Sequence, residues 1–83
     1  MKDLIEFAVE NIVEDPTSIK IETSKEEGSD VIKLSVAEKD IPIIIGKRGK
    51  MIKALRTLLK IRALREGKRA YLELVQANGQ NPL

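Results

Sequence analysis

The sequence contains no cysteine, no histidine and no tryptophan. Without cysteine, neither a disulfide nor a thiolate metal site can form. Without histidine, the commonest metal ligand and the usual neutral-pH general base are both missing. Carboxylates remain for a hard cation, but no loop is dense enough in them to form such a site. Phe7 and Tyr71 carry the only aromatic rings, too few for a surface that works mainly by ring stacking. No apolar run approaches the roughly 20 residues of a membrane-spanning helix. No basic start leads into the apolar core of a secretory signal. These absences predict a cytoplasmic chain with no metal, no cofactor and no direct membrane insertion.

What remains is charge, and it is unevenly placed. The 83 residues suit one domain with a limited core. The net charge of +2 hides two opposed blocks. Residues 1–45 hold 11 acidic and 5 basic side chains, a net of −6. Residues 46–69 hold 10 basic side chains against Glu66 alone, a net of +9. A cationic block this dense attracts polyanions and loses affinity as salt rises.

Hydrophobic spacing predicts the elements. Leu4, Ile5, Ala8, Val9, Ile12 and Val13 recur at helical intervals, giving a helix over 3–14 that Pro16 stops. Asp3 and Glu6 fit a capping box at its start. Ile19, Ile21 and Thr23 alternate with Lys20, Glu22 and Ser24, which predicts a strand over 18–25. A turn over 26–30 centred on Gly28 leads to a return strand over 31–36, with Ile32, Leu34 and Val36 on one face. Residues 38–45 read as a short helix burying Ile41, Ile44 and Ile45; Pro42 requires it to start late or to be distorted. A strand over 41–45 is the rival, favoured by the isoleucines. The main helix spans 50–65, packing on Ile52, Leu55, Leu58, Leu59 and the stem of Arg62, with Gly67 ending it. Residues 69–75 form a last strand. The domain thus covers 1–76, with a frayed tail over 77–83. Each element has one apolar face, so the expected architecture is α+β, with helices stacked on one side of a three-stranded sheet.

Between the two later helices stands Gly46-Lys47-Arg48-Gly49. Two glycines bracketing two cations let a backbone turn approach a phosphate. The helix that follows offers free N-terminal amides to an anion. The candidate phosphate-binding residues are Gly46, Lys47, Arg48, Gly49, Lys50 and Lys53.

The run Ile44-Ile45-Gly46-Lys47-Arg48-Gly49-Lys50, then Leu55-Arg56-Thr57-Leu58 and Glu66-Gly67-Lys68-Arg69, resembles the KhpA/YlqC family of small bacterial single-KH-domain RNA-binding proteins. The resemblance covers about residues 2–75. Pro42 and Ile43 stand where many relatives carry a glycine and a lysine; the loop itself is complete. The resemblance implies a type II KH domain of order α-β-β-α-α-β, whose loop clamps about four nucleotides of single-stranded RNA. It also implies that bases lie in a groove between the helix pair and the edge of the hairpin, with Ile44 and Ile45 near its floor and Leu34 and Val36 as candidates opposite. It further implies an RNA chaperone or post-transcriptional regulator that forms a homodimer and pairs with a larger KH protein of the KhpB or Jag kind. A separate observation also points to assembly: Ile41-Pro42-Ile43-Ile44-Ile45 has more apolar side chains than one side of a short helix can bury. Ile43 is the candidate interface residue, with Phe7 next.

Three rivals are weaker. An enzyme lacks its chemistry: the spacing from Gly46 to Gly49 is too short for a Walker loop, Lys50 is followed by Met51, and Ser29 and Ser35 have no activating partner. A helix-turn-helix reader of duplex DNA would leave the flanking strands unexplained. A protein adaptor that docks a second KH protein, with RNA binding secondary, is the alternative function.

Overall fold

The computed structural model describes residues 1–75. The tail expected over 77–83 lies outside the described residues. The chain runs helix, strand, strand, helix, helix, strand, in the expected order. Helix α1 spans Lys2–Glu10 and buries Ile5 and Val9, one turn apart. It begins earlier than the capping box implies, so Asp3 lies in the first turn and no side chain caps the helix. Asp3 instead sits 3.6 Å from the terminal ammonium. The helix also ends earlier than expected. The amides of Ile12 and Val13 both turn back to the Val9 carbonyl, and a 3₁₀ turn follows at Pro16–Ser18.

Strands β1 (Lys20–Glu26) and β2 (Ser29–Ser35) form an antiparallel hairpin. Its turn is tighter than expected. Only Glu27 and Gly28 are outside the strands, with φ of 53° and 80°. Positive φ at both positions matches the right-handed twist of the strands. After β2, a 3₁₀ turn at Glu38–Asp40 leads into α2 (Ile41–Ile45). Pro42 falls in the first turn of α2, where its missing N–H costs little. The helical reading of this segment therefore holds over the rival strand. Helix α3 spans Lys50–Arg65, as spacing predicts. It closes with the Gly67 amide on Leu64 and the Lys68 amide on Ala63, a glycine-terminated cap with φ of 67° at Gly67.

Strand β3 (Ala70–Val75) pairs parallel to β2, and the sheet order is β1-β2-β3. A parallel pair requires a crossover, which α2 and α3 supply. The core lies between the helices and one sheet face: Ile5 and Val9 from α1, Ile44 from α2, Ile52, Leu55 and Leu59 from α3, and Ile32, Leu34, Leu72 and Leu74 from the sheet. One expected core residue is misplaced. Leu58 is exposed and Ala63 is buried instead. Four buried residues at 52, 55, 59 and 63 define the inner stripe of α3. Leu58 falls outside it.

Candidate nucleic-acid interface

The loop between α2 and α3 is built from unusual backbone. Gly46 has φ 75° and ψ 174°, a conformation almost confined to glycine. Arg48 has φ 58° and ψ 26°, and Gly49 φ 74° and ψ 15°. Three positive φ values in four residues fold the chain into a short 3₁₀ turn at Lys47–Gly49. The Gly46 amide donates to the Pro42 carbonyl at 2.9 Å and the Gly49 amide to the Gly46 carbonyl at 3.2 Å. The amides of Lys47 and Arg48 are not engaged in these turn bonds. Two consecutive left-handed residues, Arg48 and Gly49, curl the backbone tightly, and amides in such turns can face an anion.

The two glycines have different surroundings. A Cβ on Gly46 would stand 2.6 Å from the Met51 Cβ and 2.7 Å from the Met51 nitrogen. Gly46 is therefore required for α2 to fold back on the first turn of α3. A Cβ on Gly49 would meet nothing within 4 Å, so the space beside Gly49 is open to a ligand.

Helix α3 begins at this open end. No side chain caps it and no acidic residue occupies its first turn. The Lys50 amide is taken up by the Lys47 carbonyl, and no side chain compensates the positive end of the helix dipole. Lys47, Arg48, Lys50 and Lys53 are all exposed around it. The expected cations and glycines are thus brought together. Ile45 is half-buried against the core, but Ile44 has no exposed surface. Leu34 and Val36 are likewise core. These three corrections share a cause: Ile44, Leu34 and Val36 all belong to the one buried cluster that the helices and the sheet form together. Ile43 is half-buried.

The groove also differs from expectation. It runs between the C-terminal half of α3 and the outer edge of β3, away from the hairpin. Arg56, Lys60, Lys68 and Arg69 line it with Leu64, Leu72 and Tyr71. Arg56 is braced there, its Nε donating to the Leu72 carbonyl at 3.3 Å. Tyr71 presents an exposed ring beside these cations. The missed residues had a signal. Arg56 and Lys60 are four apart on one flank of α3, and a crossover places the last strand at the sheet edge beside that helix. Among the described residues, no three His, Cys, Asp or Glu side chains gather to hold a metal. No helix is long and apolar enough to cross a membrane.

Glu66 marks the far end of α3. The Arg62 guanidinium, donating at 2.9 Å, holds its carboxyl below the usual range. Asp15 is held low as well, by hydroxyl donors from Thr17 and Ser18. Both are ordinary surface stabilisation, remote from the loop in sequence.

Known proteins share this arrangement. Residues 2–74 match the profile described as "KhpA/KhpB, KH domain". The RNA-binding protein KhpA of Clostridium acetobutylicum is 35% identical over 75 residues, covering 90% of this chain and 100% of that protein. The protein of the same name from Chlamydia pneumoniae is 38% identical over 76 residues, covering 92% and 97%. Among solved structures, Aquifex aeolicus Era bound to GDP and AlF4− superposes with a TM-score of 0.62 at 26% identity. Era in complex with MgGDPNP and nucleotides 1506–1542 of 16S ribosomal RNA superposes with a TM-score of 0.56 at 28% identity. This chain is 90% covered in both cases and spans 29% of each Era chain. The relatives are named for RNA binding, and this is not a family of enzymes. By its length, its element order and its glycine-bracketed loop, the chain belongs to the KhpA/KhpB family of KH domains.

Proposed function

We propose that this chain binds single-stranded RNA in the cytoplasm, as an RNA chaperone or post-transcriptional regulator. One observation carries the reading: an open loop with free amides and exposed cations at the uncapped start of α3. In it, the side chains of Lys47, Arg48 and Lys50 and the backbone amides of Lys47 and Arg48 hold phosphates, while Gly46 shapes the turn. Such contacts position a strand without reading its bases. Lys53, Arg56 and Lys60 continue the positive path along α3 toward the groove. There Tyr71 offers one ring for a base, and Leu72 an apolar floor. Ile45 borders the loop; Ile44 supports it from within the core.

Rigid base pairs do not fit a groove that takes about four nucleotides. The test is competition among an unstructured RNA strand, the same RNA as a blunt duplex, and duplex DNA, at two salt concentrations. The single strand should win, with affinity falling steeply as salt rises. Equal binding to strand and duplex would refute the groove.

A second reading concerns assembly. Leu58, Ile61 and Leu64 are 45%, 52% and 67% exposed along α3. Three large apolar side chains at intervals of three make a strip that a second copy can match about a twofold axis. It supports a homodimer, and equally a heteromer with a KhpB- or Jag-like KH protein presenting the same helix. This strip is a stronger interface candidate than Ile43, which is half-buried. Two linked grooves would also gain affinity through effective concentration. Sedimentation equilibrium of the wild type, Ile61→Lys and Ile43→Lys separates the cases. We expect a dimer that Ile61→Lys dissociates and Ile43→Lys does not. A monomeric wild type at high concentration would end the proposal. If the dimer exists but the loop binds no RNA, the adaptor function gains.

A further inference from the structure

One buried charge plays no part in the site so far. Asp40 is 0% exposed, the one fully buried charged side chain among the described residues. It immediately precedes α2 yet makes no capping bond to that helix. Its two carboxylate oxygens instead accept from the backbone amides of Glu14, at 2.9 Å, and Asp15, at 3.0 Å. Those donors lie 26 and 25 residues away in sequence, where the chain leaves α1 and turns toward β1. A buried ion is retained only when such bonds satisfy it.

The position of this anchor matters because α2 is so short. A five-residue helix has no stability of its own. Its C-terminal end is fixed by the close approach of Gly46 to Met51, and its middle by Ile44 in the core. At its N-terminal end Ile41 packs against the core, and the carboxylate of Asp40 supplies two directional hydrogen bonds to another part of the chain. The direction of α2 decides where Gly46 begins the loop, and so where the amides and cations point. We propose that Asp40 is a positioning residue for the Gly46–Gly49 loop, setting the axis of α2 through its two bonds to the backbone at 14–15. The inference rests on the RNA-binding reading of that loop.

The sign of the expected effect makes the test sharp. Removing a negative charge should, by electrostatics alone, leave binding to a polyanion unchanged or slightly stronger. Loss of positioning should weaken it. The experiment compares wild type, Asp40→Asn, Asp40→Ala and a control, Val9→Ala, which loosens the core on α1 without touching the anchor. Each is checked for folding by circular dichroism, titrated with an unstructured single-stranded RNA oligonucleotide, and examined by amide NMR. We expect folded Asp40→Asn to bind at least fivefold more weakly, with shifted Gly46, Lys47, Arg48 and Gly49 resonances. Asp40→Ala, if folded, should be weaker still. Val9→Ala should keep wild-type affinity and loop resonances. Asp40→Asn that is folded, within twofold of wild type in affinity and unshifted at the loop overturns the proposal. Failure of Asp40→Asn to fold also overturns it, by assigning the residue to the core as a whole. If the wild type itself binds no RNA, the functional reading fails, and the loop resonances of Asp40→Asn alone then decide whether Asp40 orients the loop.

Discussion

Gly46 and Gly49 are the same residue at the two ends of one loop, and their surroundings are opposite. Gly46 faces inward, in a glycine-only conformation, with Met51 where its side chain would be. Gly49 faces open space, in a left-handed conformation that other residues can adopt at a cost. The inward end joins two helices and is backed by Ile44 and Asp40. The outward end carries the exposed cations and the free start of α3. A glycine pair in a motif is therefore not a pair of equivalent positions: one end makes the joint and the other is open to a ligand.

The largest effect should come from the inward end. Gly46→Ala adds backbone strain of ~1–3 kcal/mol and an overpacking cost of ~1–3 kcal/mol. Urea denaturation should show a loss of several kcal/mol, with RNA binding lost alongside the fold. Gly49→Ala should cost only ~1–2 kcal/mol, for a left-handed alanine. Equal losses at the two glycines would erase the distinction drawn between them. Next in size, Ile44→Ala should cost ~2–5 kcal/mol as a buried truncation. At temperatures where it stays folded, its RNA affinity should remain near that of the wild type. A selective loss of affinity there would return Ile44 to the binding surface.

At the outward end, effects fall on binding and spare stability. Tyr71→Ala removes the groove's ring, and base–aromatic stacking is worth ~1–3 kcal/mol. Affinity should fall about fivefold or more, with the denaturation midpoint little changed. An unchanged affinity would confine RNA to the loop. Lys53→Ala should leave stability within about 0.5 kcal/mol and reduce the salt slope of RNA binding by about 0.7.

The smallest effect is that of pH. Asp15 and Glu66 are held below their ordinary values by hydroxyl and guanidinium donors. Asp3 is held low mainly by a backbone hydrogen bond and then by the terminal ammonium. A lowered carboxyl stabilises the fold above its unfolded value, and that contribution is lost as pH falls through the folded one. The melting temperature should therefore drop slightly as pH falls through and below the ordinary carboxylate range. Asp15→Asn and Glu66→Gln should each flatten part of that drop. All three groups are exposed, so each change is small.

Much of this was legible in the residues, because periodicity reports local structure. The spacing of Ile52, Leu55 and Leu59 located α3 with its observed bounds, and the alternation of Ile32, Leu34 and Val36 located the inner face of the hairpin. The loop cations were also legible, since two glycines bracket them between one apolar run and the next helix. What periodicity could not give was the packing of one element on another. Ile44 and Leu34 have the composition of a groove wall and become core because both join the one cluster buried between helices and sheet. The groove moved to β3 because strand order is a property of the crossover. Asp40 looked like any surface acid, and its burial depends on amides 25 residues upstream.

The central claim is that the outward end of the loop binds RNA phosphate. Changing Lys47 and Arg48 together to Asp tests it most directly. Both side chains are exposed, and Asp tolerates the left-handed backbone at Arg48, so the fold should survive. Filter binding of a single-stranded RNA and circular dichroism should be measured on the same sample. We predict an unchanged spectrum with RNA affinity reduced at least tenfold. A folded double variant with near-wild-type affinity would contradict the account.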